Sequence, residues 1–386
     1  MLHAPVINSL YVHVPFCAKK CEYCAFYSEA GDGALVNRYT QALVREMELV
    51  AGGLKPETVF FGGGTPSLLN LRQWETILRA MERLNLLGAA EWTVECNPAT
   101  MSADKARLLR DWGVNRISMG AQSFDAALLE RLGRVHSREM IFKSFDILRA
   151  SGFDNINLDL MFAIPGQTLD SWRATLAEAT AMNSEHLACY EVIYEEDTPL
   201  FAQLQAGKIS TDEDLACAMY EELVGATSAA GLEQYEVANF ARGGRGGAAL
   251  PDRACRHNVN YWMGGEFHGL GPSAAGYTGG RRTANVANTT LYCEHLESGV
   301  RAVASSEELA PLARAGEIAA FGLRMTAGWP LGQFHQRTGF DLSREWSAEI
   351  QQMIKLGYGR LETDRFWLTS QGLRFADWVG AEFLRS

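Results

Sequence analysis

No stretch of this 386-residue chain approaches the roughly eighteen consecutive apolar residues of a membrane-spanning helix, so no integral membrane segment is expected. The opening Met-Leu-His-Ala-Pro lacks the basic and apolar character of a secretory signal. Positive charge is also in deficit. Thirty-five Lys and Arg stand against 46 Asp and Glu, and the net charge of −11 disfavours broad binding to nucleic acid or to an anionic membrane surface. No second CxxC pair and no HxxxH pair occurs, which argues against a closed four-ligand structural zinc site. The cysteines form no even lattice of a small disulfide-stapled protein, and free thiols suit a reducing interior, so the cytoplasm is the expected location.

What is present begins with three of the eight cysteines. Cys17, Cys21 and Cys24 form a CxxxCxxC triplet, and such closely spaced thiolates suggest an iron–sulfur cluster. A cubane 4Fe-4S cluster normally takes four thiolates, so three leave one iron open to a small molecule. Cys96, Cys189, Cys217 and Cys293 are scattered and read as small buried hydrophobes, with Cys255 held open.

With 47% hydrophobic residues the chain is too long for one typical core. Short β-rich runs at 10–14, 58–61, 92–95, 116–119, 156–161 and 187–193 alternate with helical patterns at 36–50, 71–86, 103–112, 140–150, 169–182 and 212–230. Six βα units predict a parallel sheet with right-handed crossovers, an α/β fold of the open, partial (β/α)6 TIM-like barrel kind, with its chemistry at the carboxyl ends of the strands. A glycine-dense run at 241–251 reads as a linker. The expected division is a barrel over 1–240, a linker and motif segment over 241–305, and a C-terminal α+β, winged-helix-like domain over 306–386. In that last part, helices at 307–325 and 343–356 precede a hairpin around Thr363 and Asp364, and a final helix covers 370–384. An acidic chain without an arginine-rich recognition helix points to packing or docking rather than to DNA.

Several residues fall on the predicted rim. The run FGGGTP follows the second strand and contains Gly63, Gly64 and Thr65, where glycine lets backbone approach a ligand and expose its amides. Glu95, Gln122 and Asp159 lie at or near the ends of the third, fourth and fifth strands, with Arg134 in a Leu-Gly-Arg turn. Singly each reads as a polar strand cap; together with the cysteines they read as a site.

This combination resembles the radical S-adenosylmethionine (radical SAM) superfamily, in which three such cysteines hold a 4Fe-4S cluster and SAM chelates the fourth iron. The leading YVHVPF at 11–16 and the rim set look like the oxygen-independent coproporphyrinogen III oxidase family. By that resemblance Tyr11, Tyr23, Gly63, Gly64, Thr65, Glu95, Gln122, Arg134 and Asp159 would contact SAM.

Two departures separate the chain from the true oxidases. Those resemble CxxxCxxCxC, whereas Phe26 holds the last position here, and only sixteen residues precede Cys17 where the oxidases carry a long segment. Both features match the HemW-type branch, regarded as heme chaperones. HNxxYW at 257–262 looks like that branch's heme signature. The resemblance implies His257 as axial ligand to heme iron, with Tyr261 and Trp262 against the porphyrin and Arg253 or Arg256 at a propionate; Cys255 is the alternative donor. The family's glycine-rich segment commonly continues into a histidine, which is Ala275 here, and His268 is not promoted in its place.

The function implied is a heme chaperone that carries a 4Fe-4S cluster, SAM and heme, draws on an electron donor, and passes heme to acceptor hemoproteins of the respiratory chain. With no anchor visible, any membrane contact is expected to be peripheral or through a partner. The alternative is an oxygen-independent coproporphyrinogen III oxidase acting in porphyrin biosynthesis.

Overall fold

A computed structural model describes residues 7–243 and 250–385. The first six residues, and 244–249 of the glycine-dense run expected as a linker, lie outside the described residues. The chain divides into two compact units: one runs to Met219 and resumes over Glu266–Glu307, while the other comprises Tyr220–Gly265 and Glu308 onward. The 241–305 segment, expected as a part of its own, is therefore shared between them.

In the first unit, β1 (Ile7–Val14), β2 (Leu54–Gly63), β3 (Glu91–Cys96), β4 (Arg116–Gln122), β5 (Ile156–Phe162) and β6 (His186–Glu191) lie side by side in chain order, all parallel. A short strand, His268–Leu270, adds in parallel to the free side of β1. Helices α1 (Gly33–Val50), α2 (Leu71–Arg83), α3 (Ala103–Asp111), α4 (Ala126–Arg131), α5 (Arg138–Ala150) and α6 (Leu169–Ala181) fall between the strands. Their starts are chemically marked. Asp32 accepts from the Leu35 amide at the head of α1, and Asn70 with Gln73 closes a reciprocal capping box on α2.

The strands alternate, with Phe60 and Met161 as apolar exceptions on the inward face. Leu10, Val12 and Val14, Val59 and Phe61, Trp92 and Val94, Ile117 and Met119, and Leu158 and Leu160 are all fully buried on one face. The opposite face is polar and cross-linked: Ser9 Oγ meets Thr58 Oγ1 at 2.8 Å, and Asn157 Nδ2 donates to Ser118 Oγ at 2.7 Å. The barrel thus has an apolar jacket and a polar lumen.

The returning segment is stapled to α1 by one buried carboxylate. Glu46 accepts from the Gly271 amide (2.8 Å), Asn285 Nδ2 (2.9 Å) and the Tyr292 hydroxyl (2.7 Å), with Arg301 at 3.6 Å. Burial raises its pKa, and these donors oppose that shift.

In the second unit a small antiparallel sheet joins Trp329–Pro330, Arg365–Leu368 and Gly359–Glu362. Its core gathers Trp329, Phe334, Trp346, Phe366 and Phe383, all fully buried. The helix expected over 343–356 is broken at Trp346 into Leu342–Glu345 and Ser347–Lys355, because the indole turns inward and donates to the Phe383 carbonyl at 2.8 Å. A helix at Leu331–Thr338 was not foreseen. Cys217, expected in the core, is only partly covered.

Candidate functional site: a cavity at the carboxyl ends of the strands

The cysteine loop leaves β1 and is pinned at both ends. Cys17 N donates to Glu29 O (3.1 Å) and Glu29 N to Pro15 O (2.8 Å), while Glu22 bonds to Leu132 and Leu200 through its amide and carbonyl. His13 supports the loop from below, its Nε2 meeting the Tyr27 carbonyl at 2.9 Å and its Nδ1 the Tyr11 hydroxyl at 3.0 Å. These bonds hold the half-buried Cys17, Cys21 and Cys24 on the wall of a cavity of about 500 Å³.

The same cavity is lined by Tyr23, Gly63, Gly64, Thr65, Glu95, Gln122, Arg134 and Asp159. Eight of the nine residues expected at SAM are therefore brought together with the three cysteines. Tyr11 is the exception. Its hydroxyl faces His13, and its ring lies 6.3 Å from that of Phe60, away from the cavity wall.

The glycine run does a different job from the one its position suggested. Gly62 and Gly63 belong to β2 itself, and the amides of Gly63, Gly64 and Thr65 are spent on Glu95 Oε2 (3.2 Å), Val14 O (2.8 Å) and Phe16 O (2.8 Å). A Cβ at Gly64 would sit 2.7 Å from two backbone carbonyls of the cysteine loop's entry, and one at Gly63, where φ is +100°, would enter the His13 ring. Glycine is required so that β2 can press against that entry, not to leave amides open.

At the end of β4 the backbone is bent for the site. Gln122 has φ +65°, and the pairing with β5 slips between Gly120 and Gln122. A bulge with a left-handed non-glycine residue is the kind of local strain found where a side chain is re-aimed into a site. Arg134 reaches the same point, donating from Nη2 to Gly120 O (2.8 Å) and from Nη1 to Cys21 Sγ (3.5 Å). Its Nε is buried without a hydrogen-bond partner.

Two partly buried carboxyls, Glu95 and Asp159, line this cavity along with the exposed Glu191 and Glu195. Glu95 is pushed up to about 8 by burial and then by the charge of Asp159. Asp159 is raised to about 6 by burial, opposed by the Asn157 hydrogen bond and the Arg116 charge. Burial likewise raises the Cys24 thiol. Among the described residues no three His, Cys, Asp or Glu side chains converge as the cage of a single ion. A cubane does not need that convergence, since each thiolate binds a different iron. A loop pinned at both ends, half-buried thiols on an open wall and an arginine against Cys21 fit such a cluster.

The HNxxYW helix, Arg256–Trp262, belongs to the second unit and is arranged differently. His257 is 1% exposed, and its Nε2 meets the Tyr261 hydroxyl at 2.7 Å. Cys255 is fully buried and its amide takes the Tyr235 hydroxyl as acceptor at 3.1 Å. Trp262 lies under the Arg324 guanidinium at 5.1 Å.

Comparison with known proteins decides the family. The radical SAM superfamily profile matches residues 11–179 and the HemN C-terminal domain profile residues 309–375. A Bacillus subtilis (strain 168) protein, heme chaperone HemW, is 33% identical over 98% of this chain and 99% of its own length. The chain belongs to the HemW family. The heme chaperone HemW of Escherichia coli K12 is 37% identical over 69% of each chain. The structure of the E. coli coproporphyrinogen III oxidase HemN, a radical SAM enzyme, matches with a TM-score of 0.82 at 20% identity, over 98% of this chain and 90% of that one, which shows a shared fold.

Within this HemW-family cavity, sequence reasoning missed the residues beyond the motifs. Val135, Tyr190 and Ile193 join Phe26, already noted beside the cysteines, in an apolar rim of the cavity, and Phe26 is 69% exposed. Ser118 lines the cavity, while Arg116, Asn157 and His186 are buried in the lumen. Their signal was the alternation of polar with apolar residues along each strand.

Proposed function

We propose that this chain is a cytoplasmic heme chaperone that holds a 4Fe-4S cluster on Cys17, Cys21 and Cys24, SAM across the cavity, and heme at the HNxxYW helix, and that it delivers heme to respiratory hemoproteins. The carrying observation is the near-full-length likeness to proteins named heme chaperone HemW, combined with one cavity that gathers the cysteines and eight rim residues. Bound together, the cluster and SAM would supply a redox centre with an organic ligand on its open iron. This chain's own residues would hold that ligand. Arg134 lies beside Cys21, while Glu95, Gln122 and Asp159 offer acceptors and an amide for amino and hydroxyl groups.

For heme, His257 is the ligand we favour and Cys255 the alternative. In the present arrangement the His257 ring is buried and bonded to Tyr261, so ligation requires that bond to open and the ring to turn outward. Arg253 or Arg256 would then meet a propionate, and Tyr261 and Trp262 would flank the macrocycle. An electron donor and an acceptor hemoprotein are the partners this function requires.

The test is a heme titration of wild-type protein and His257→Ala, with a parallel incubation of reconstituted protein with coproporphyrinogen III, SAM and reductant. A heme spectrum lost in the variant and no decarboxylated product are expected. Protoporphyrinogen IX formed with turnover would sink the chaperone reading. A spectrum indifferent to the substitution would remove His257 as ligand.

A further inference from the structure

Below the carboxyls of the cavity, the lumen contains a column of polar side chains that no motif marks. Arg116 opens β4 and is 2% exposed, its Nη1 lying 3.5 Å from Thr93 Oγ1 on β3. Asn157 on β5 donates from one Nδ2 to Ser118 Oγ and to Asp159 Oδ1, both at 2.7 Å. Its Oδ1 meets His186 Nδ1 on β6 at 2.6 Å. With the amide nitrogen committed to two acceptors, that oxygen must accept, so the His186 proton resides on Nδ1. Burial, and then the charge of Arg116, hold the imidazole neutral. Ser118 Oγ closes the array against both oxygens of Asp159 at 3.3 and 3.4 Å.

Every member sits on the inward phase of its strand, at i and i+2 positions such as Arg116 and Ser118 or Asn157 and Asp159. A permanently charged guanidinium in a lumen is costly unless it is balanced. Arg116 favours the charged form of Glu95 and Asp159, and the buried Glu91 lies on the same inward phase of β3, two residues before Thr93. The chain therefore keeps a cation on the inward face below Glu95 and Asp159.

We propose that Arg116, Asn157 and His186 are positioning residues for SAM: the His186–Asn157 pair fixes the direction of the Asp159 carboxyl, and Arg116, on the inward phase of β4 with Ser118, sets a cation in the lumen beneath it. This rests on the reading of the cavity as a SAM site. Neither Arg116 nor His186 is placed to touch the ligand; they act through the carboxyls above them. The other titratable groups that feel those carboxyls are Arg134 after α4 and Tyr23 on the cysteine loop, with Cys96 on β3 and Cys189 on β6 on the opposite phase of their strands. Of these, only Arg134 shares the sign of Arg116, and it stands on the loop side.

Equilibrium binding of SAM to cluster-reconstituted protein, measured between about pH 5.5 and pH 8.5, tests the proposal. Removing the cation raises the pKa of Asp159, so binding that needs this carboxyl ionised is lost at higher pH on acidification. For Arg116→Gln the midpoint of that loss is expected to rise by roughly 1–3 pH units, and Arg116→Lys should keep the wild-type midpoint. A merely structural role would weaken binding equally across the range. Asn157→Leu removes direction but not charge, so affinity should fall roughly tenfold or more with the midpoint unmoved. Iron content should be unchanged in all three variants. Should Arg116→Gln fail to fold, the Lys and Leu variants still decide: a shifted midpoint in Arg116→Lys, or wild-type affinity in Asn157→Leu, overturns the proposal. An unshifted Arg116→Gln overturns it equally. Wild-type protein that binds no SAM overturns the cavity reading itself and this proposal with it.

Discussion

The cavity of the barrel unit and the HNxxYW helix of the C-terminal unit carry the two sets of residues to which the sequence drew attention, and they are built on opposite plans. Around the cavity, thiols, carboxyls and an amide face open space and are held by a deeper layer of bonds: the cysteine loop by its backbone, Asp159 by Asn157, Arg134 by Gly120. In the helix the groups of interest are turned inward and satisfied by one another, as His257 is by Tyr261. A site of the first kind is preorganised and binds without rearrangement, whereas one of the second kind must open, and its apparent affinity is reduced by the fraction of time it spends open.

The strongest way to break this comparison is Cys21→Ala. Cluster assembly should be abolished, read as loss of iron, sulfide and visible absorbance after reconstitution, while heme binding to the other unit should persist. Heme binding lost in parallel would show that the two regions are not independent. Next comes Trp329→Ala, which empties a fully buried position where the indole also donates to the Ala319 carbonyl at 3.2 Å. A cost of about 3–5 kcal/mol is expected in denaturant unfolding, with the iron content of the barrel unit unchanged.

Glu95→Gln sharpens the account of the cavity. The carboxyl is raised to about 8 in the folded protein, so the folded state holds a proton that the unfolded chain has already released above its ordinary carboxyl range. Its presence therefore costs stability progressively as pH rises from about 4.5 to about 8, and the cost stays constant beyond. The variant's gain in Tm over wild type should be near zero at pH 4 and largest above pH 8. A gain independent of pH would show that Glu95 is not the group responsible. The smallest effect belongs to Tyr261→Phe, which removes the hydroxyl from His257 Nε2. A stability loss of about 1–3 kcal/mol is expected, together with heme binding tightened a few-fold as the ring is released. Affinity unchanged or weakened would mark the histidine as a packing residue.

Much of this architecture was legible in the residues. All six βα units fall where β-rich and helical runs alternate, because a strand buried on its jacket face must place an apolar side chain at every second position. The cysteines and rim residues were found because they sit at strand ends or in unusual spacings. Three things stayed hidden. Arg116, Asn157 and His186 lie inside strands, where a polar residue reads as noise until partners on neighbouring strands are seen to share its phase. The purpose of Gly63 and Gly64 depends on neighbours far away in the chain, since only the position of His13 and of the Val14 and Phe16 carbonyls shows what a side chain would strike. The Leu331–Thr338 helix starts at Pro330, directly after a two-residue strand, too abrupt a change for a periodic pattern to register.

The Glu46 staple bears on how the protein is made. Its partners, Gly271, Asn285, Tyr292 and Arg301, leave the ribosome long after the cysteine triplet. At the usual pace of translation, the interval between Cys24 and Glu307 is roughly 15–60 s. During that time the edge of β1 that will receive His268–Leu270 is bare, and the carboxylate of Glu46 has none of its four partners.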